Sequence, residues 1–327
     1  MIASFIGLLL IAGRQHSPLY RGMSYTNSIS GLGAYVRSDA SLAAMASDGV
    51  NCIALNPQQS QSTILSGDIH LNPRSFGNSD AAIIHTIRVA HKLGMKILLK
   101  PMVNPRGHWR GDIPASGGWF QAYTGFIQHY AVMAASEHVE AFSVGCEFRA
   151  NEWDDAEWRR LIGTVRQFYK GPITYCCNWD SYKKVSWWDA VDFIGIDAYF
   201  PLAHTPDASP EALEAAATSL ADSLAAWRKM NHPDKQIAFT EIGYQSLPKT
   251  AMHPWETSGN SADPEAQANA YEAMLQAFWG RRWWAGAFWW GWSSDPDGGG
   301  PRDTDFTPQN KPAEAVMRAF YMLPMRK

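Results

Sequence analysis

FSVGCEF at residues 142–148 and IAFTEIGY at residues 237–244 decide the fold. In each, a short run of strand-forming residues ends in a single glutamate, Glu147 or Glu241. A charged group there serves neither a core nor a solvated face, so it belongs at the end of a buried strand, projecting into a concave site. Parallel barrels place their catalytic carboxylates at that end of their strands.

Working outward, six more strand-like runs lie at 22–26, 51–56, 96–102, 173–178, 192–199 and 286–292. Helical patterns separate them at 39–47, 80–93, 119–136, 153–169, 210–230 and 264–279, and a last one covers 312–321. Only the connection after Asn178 is too short for more than a turn or two. Strand and helix alternating eight times predict an α/β fold, a single (β/α)8 TIM barrel, and 327 residues suit one such domain. Residues 21–327 are assigned to it, with residues 1–20 as a separate apolar segment. Ser79 and Asp80 mark one helix start and Gly94 its end; Asp263 with Pro264, and Asn310 ahead of Pro312, mark two others. The long polar loops at 104–118, 204–209, 245–263 and 293–309 all follow strands, which makes the strand C-termini the active face.

Composition narrows the function. A hydrophobic fraction of 46% against 18% charged describes a globular protein with a large core. A net charge of -3 offers no basic surface for a phosphate backbone, so no nucleic acid partner is expected. Fifteen Trp suit stacking on the apolar faces of sugar rings as well as core packing. Cys52, Cys146, Cys176 and Cys177 lie in strands, the last two on opposite faces, and lack zinc-ligand spacing; they read as buried free thiols. Residues 2–13 form an apolar run of signal-peptide length with no preceding Lys or Arg, too short to span a bilayer. The segment reads as a leftover or atypical export signal, favouring a secreted or periplasmic protein over a cytoplasmic one, with a miscalled start or a disordered tail as the alternatives; no other stretch is apolar enough to cross a membrane.

Strand alternation puts Ile237, Phe239 and Glu241 on one inward face, and Ser143, Gly145 and Glu147 on another. Two carboxylates at one cleft are the minimum for hydrolysing a glycosidic bond. As purely structural groups the same glutamates would need buried cations such as Arg149 or Lys100. Tyr199 is the candidate to orient Glu241, with Asp197 two residues earlier on the same face. By parity Trp290 and Trp292 point inward, one of them to form the floor under the sugar at the cleavage point, while Trp289 belongs to the core. Asn178, Trp179, Asp180 and Asp197, with Lys100, Asn104, His108 and Trp109, are candidate sugar contacts. Asp295, Asp297, Asp303 and Asp305 sit in a Gly-rich loop without a complete calcium-ligand pattern. No metal or cofactor is expected.

Seven motifs occur in order: GMSY at 22–25, LLKP at 98–101, VGCE at 144–147, NWD at 178–180, IGIDAYFPL at 194–202, FTEIGY at 239–244 and FWWGW at 288–292. In them the chain resembles clan A glycoside hydrolases, and more narrowly glycoside hydrolase family 113, over residues 21–321. The resemblance implies a retaining β-1,4-mannanase in which Glu147 is the acid/base and Glu241 the nucleophile. It implies a β-linked polysaccharide or oligosaccharide as partner; a monomer is expected. Two positions depart from the resemblance. Many clan A members carry Asn where this chain has Cys146, and NPQQSQ at 56–61 stands where an aromatic-containing segment is expected. Glucan or a glucosamine polymer therefore stays open as substrate, as does a non-catalytic carbohydrate-binding barrel.

Overall fold

The computed structural model describes residues 19–26, 33–71, 76–206, 208–257 and 259–323, so nearly all of the expected export-signal segment lies outside the described residues. The strands in chain order are β1 Tyr20–Thr26, β2 Cys52–Leu55, β3 Gln58–Gln61, β4 His70–Leu71, β5 Lys96–Leu99, β6 Met102–Pro105, β7 Ala141–Cys146, β8 Ile173–Asn178, β9 Ile194–Asp197, β10 Ile237–Ile242 and β11 Trp284–Ser293. Eight of them close a parallel barrel in the order β1, β2, β5, β7, β8, β9, β10, β11, with β11 returning to β1.

Helices α1 Ala34–Ser47, α2 Asp80–Lys92, α3 Gly117–Ser136, α4 Asp155–Phe168, α5 Pro210–Asn231, α6 Pro264–Phe278 and α7 Pro312–Tyr321 accompany the strands. Two short 3-10 turns, Tyr182–Lys184 and Trp188–Ala190, fill the brief link between β8 and β9. Ser79 caps α2 by accepting from the Ala82 amide, and Asp263 caps α6 by accepting from Ala266. At α7 the cap position is Lys311 rather than Asn310, whose side chain instead donates to the Gly298 carbonyl at 2.9 Å. None of the described helices is long and apolar enough to cross a membrane.

The barrel separates two cores. Ile53, Leu55, Ile97, Leu99 and Phe142 face the helices, where Trp158 stacks on Trp187 at 5.0 Å. Inside, small residues such as Cys52, Ala54, Ala141 and Ala238 leave room for the rings of Tyr20, Phe193 and Phe288, which plug the base. Gly286 lets β1 approach there, because at its φ of 127° a Cβ would fall 1.9 Å from the Tyr20 carbonyl oxygen.

The region expected as one strand over 96–102 is divided. Pro101 interrupts it, and β6 joins a small second sheet in the order β4, β3, β6 above the barrel. The polar run of β3 gives no hydrophobic alternation, so nothing in the sequence marks it as a strand.

The two decisive strands both break the alternation read from the sequence. On β7, three steps from Ser143 to Cys146 match two on β8, from Thr174 to Cys176. On β10, two steps from Phe239 to Glu241 match one on β9, from Ile196 to Asp197. An extra residue flips the facing of everything beyond it. Ile237 and Phe239 therefore pack outward, Phe239 against Phe278 of α6 at 4.8 Å, while Ala238 faces the barrel interior and the Thr240 hydroxyl reaches the interior carboxylate of Asp197. Gly145 also faces outward, where a Cβ would lie 2.9 Å from Trp158 and Tyr175, and Cys146 takes the inward place. Both bulges immediately precede the glutamates.

Candidate active site

Glu147 is the first residue beyond β7 and has a left-handed φ of 56°, unusual for a residue with a Cβ. Its amide is fixed by the Cys176 carbonyl at 2.8 Å. Its Oε2 accepts from Arg110 Nη1 at 3.1 Å and from Trp109 Nε1 at 3.4 Å. Arg110 is held in turn by Asn104 Oδ1, which takes its Nε at 3.1 Å and Nη2 at 2.8 Å. Asn104 lies on β6 and donates to Gln58 of β3 at 3.1 Å, so the small upper sheet anchors the cation beside Glu147. Burial pushes the Glu147 carboxyl above its ordinary pKa; Arg110 opposes this and Glu241 adds to it.

Both oxygens of Glu241 are engaged. Oε2 accepts from the Tyr199 hydroxyl at 2.8 Å, the contact expected from the sequence, and Oε1 accepts from Lys100 Nζ. Lys100 is fully buried and also reaches Asp197 Oδ1 at 3.2 Å. Asp197 accepts from Thr240 Oγ1 at 2.8 Å and from the Cys146 thiol at 3.4 Å. Burial alone would depress the lysine, but Asp197, Cys146 and Glu241 reverse that and hold it well above its ordinary value.

Lys100 and Asp197 were expected to touch sugar; they lie instead wholly beneath Glu241, because the strand ends carrying them point into the sealed barrel interior. One ligand atom each of Cys146, Asp197 and Glu241 falls within 4.8 Å of the others, and the Lys100 ammonium contacts both carboxylates. Lys100→Met should leave those carboxylates buried without their cation. A loss of about 3–5 kcal/mol is expected in urea unfolding, together with a collapse of turnover. Wild-type stability in that variant would remove Lys100 from this role.

The glutamates open into a cleft of about 590 Å³ at the C-terminal end of the barrel. It gathers Glu147, Glu241, Tyr199, Asn178, Trp179, Asp180, Trp109 and Trp290 from the sequence-derived candidates. Trp292 is a correction: it is buried among core residues, and its Nε1 donates to Ser41 Oγ of α1 at 2.9 Å. The cause is a register shift. Met23 pairs with Trp289, but Tyr25 pairs with Trp292, so β11 carries one extra residue and the alternation fails after Trp290. Trp289 is core as expected, stacked on Tyr271 at 3.7 Å. His108 is exposed and outside the cleft, and Asn104 stands behind Arg110.

Sequence reasoning missed Arg110, Trp255, Thr257, Met102 and Phe306 in the wall, and gave Arg149 only as a possible ion-pair partner. Trp255 was signalled weakly, as a tryptophan in a long polar loop after a strand; it stacks on Trp179 with centroids 5.4 Å apart. Arg149 lies 5.0 Å over the Trp109 ring and pairs with Asp180 at 3.2 Å, not with Glu147. The acidic loop contributes Phe306; its Asp295 and Asp297 pair with Arg37, and Asp303 pairs with Lys311.

An aromatic-walled cleft with two buried carboxylates at strand ends is what cleavage between sugar units demands, and the chain is a barrel glycoside hydrolase. It belongs to glycoside hydrolase family 113, whose sequence profile matches residues 25–311. A β-mannanase of that family from Alicyclobacillus acidocaldarius, solved with ManMIm, is 30% identical with a TM-score of 0.82, covering 94% of this chain and 98% of its own. A β-1,4-mannanase of the family solved as a complex is 28% identical at the same TM-score, covering 93% and 99%. A family 5 mannosidase from Rhizomucor miehei, 10% identical with a TM-score of 0.63 over 95% and 94%, shares the fold. No curated protein matches the sequence significantly.

Proposed function

We propose that this enzyme cleaves β-1,4-linked mannan or a closely related β-linked oligosaccharide with retention of anomeric configuration. The observation that carries the reading is the unequal treatment of the two glutamates. Glu241 is gripped at both oxygens by Lys100 and Tyr199, as a nucleophile aimed at one carbon would be. Glu147 stands in a desolvated position that favours its protonated form, as an acid would.

In the first step a Glu241 oxygen bonds to the anomeric carbon while the glycosidic C–O bond breaks and the leaving oxygen takes the Glu147 proton. In the second, Glu147 removes a proton from water as that water displaces Glu241. Trp290 forms the floor under the sugar at the cleavage point, with Asn178 and Trp179 at the neighbouring wall. That the two family 113 relatives are β-mannanases supports mannan as the substrate class.

The test is a screen of purified protein against mannan, glucomannan, cellulose, xylan and chitosan oligosaccharides, with product sizing and proton NMR of the first-formed anomer. Mannan or glucomannan is expected to be degraded with the β-anomer appearing first. Turnover confined to another polymer would overturn the substrate, and an α-anomer appearing first would overturn the mechanism.

A further inference from the structure

Arg110 has no place in the two-carboxylate mechanism, yet it is the cation nearest the proposed acid/base. Its side chain is 13% exposed. Nε and Nη2 are occupied by Asn104 Oδ1, and Nη1 meets Glu147 Oε2 at 3.1 Å and Cys146 Sγ at 3.3 Å. Few of its donors remain for a sugar, so although it lines the cleft its chemistry is directed at Glu147.

We propose that Arg110 is a positioning residue for the acid/base: clamped by Asn104, it aims the Glu147 carboxyl into the cleft and pairs with the carboxylate left there once the leaving group has taken the proton. This rests on the reading of Glu147 as acid/base.

The charge arrangement supports it. Before attack Glu241 is the anion at the cleft, and Lys100 is its cation, with Asp197 as that lysine's second partner. After attack Glu241 is an ester, and the negative charge has moved to Glu147. Lys100 keeps Asp197, and Arg110 is already in contact with the new anion. Each half-reaction thus has a cation in place for its anion, so no carboxylate is left unpaired in a desolvated site.

The groups facing Glu147 come from several elements. Trp109 and Arg110 lie on the loop after β6, Lys100 follows β5, Asp197 and Tyr199 are at the end of β9, and Glu241 is on β10. Cys146 and Arg149 flank it on its own segment, the latter paired with Asp180. Of the cations, Arg110 alone makes a direct salt bridge to it among the described residues.

The experiment compares Arg110→Gln and Arg110→Lys by the pH dependence of kcat/KM on a mannooligosaccharide and on a dinitrophenyl glycoside. On the oligosaccharide activity is lost as Glu147 deprotonates, so the alkaline limb measured with it reports that titration in the free enzyme, and the aryl substrate serves as the comparison that needs little protonation. Without the guanidinium the carboxylate is less favoured. The limb is expected to move to higher pH by about one unit in the Gln variant and to stay near the wild-type position in the Lys variant.

The Gln variant should also lose about tenfold more on the oligosaccharide than on the aryl substrate, because a weaker acid matters most for a poor leaving group. An unmoved limb with equal losses on both substrates would overturn the proposal. If the Gln variant fails to fold by circular dichroism, Asn104→Leu releases the clamp alone; the limb should then move in the same direction by less, and an unmoved limb overturns the proposal. Glu147→Gln separates the two readings. If that variant keeps the limb, Glu147 is not the acid and both readings fall; if it loses the limb while Arg110→Gln leaves it unmoved, only the role of Arg110 falls.

Discussion

Glu241→Ala is expected to reduce turnover by on the order of 10⁵-fold or more, since losing a nucleophile removes the route rather than slowing it. The surroundings make this a clean test. Lys100 retains Asp197 as its partner, and the Tyr199 hydroxyl sits at the wall of the cleft, so no buried ion is stranded by the truncation. Circular dichroism and the urea midpoint should therefore stay close to wild type. The space left beside the Lys100 ammonium suits a small anion. Azide should enter it and partly restore turnover of an aryl β-glycoside, giving the glycosyl azide of inverted configuration. Retained activity without azide would remove Glu241 from the mechanism.

The sequence carried the barrel because that signal is repeated. Each strand is a short apolar run and each helix has its own start, so errors of one or two residues at the ends do not alter the count. The glutamates were legible for the same reason: a carboxylate closing an apolar run is anomalous wherever the strand ends. The facing of the residues just before them was not legible. Parity assumes an unbroken ladder, and both β7 and β10 contain an extra residue just before the glutamate, which no hydrophobic pattern announces. The same assumption moved Trp292 into the cleft when it belongs against α1.

Depth was the other hidden quantity. Lys100 and Asp197 share strand ends with true cleft residues, and only the closed geometry shows that they lie under Glu241 rather than beside it. Arg110 was invisible because its place depends on the polar β3 and on Asn104, a pairing between segments that sequence spacing does not reveal.

Glu147→Ala should separate substrates by their leaving groups. With a natural oligosaccharide the departing oxygen needs a proton, and loss of the acid is expected to slow the reaction by about 10²- to 10⁴-fold. A dinitrophenolate leaves with little assistance, so formation of the covalent intermediate should be nearly unaffected. Water then lacks its base, and that intermediate should accumulate, visible as a burst of dinitrophenol followed by slow turnover. Azide needs no base. It should therefore speed the second step and yield the glycosyl azide of retained configuration, opposite to the product of Glu241→Ala. The alkaline limb of kcat/KM, present while a buried acid must stay protonated, should flatten in the same variant. Truncation leaves Arg110 bonded to Asn104 and Cys146, so the local fold is expected to persist. Equal losses on both substrates, with the alkaline limb unchanged and no response to azide, would mean that Glu147 only supports the cleft and that the proton comes from elsewhere.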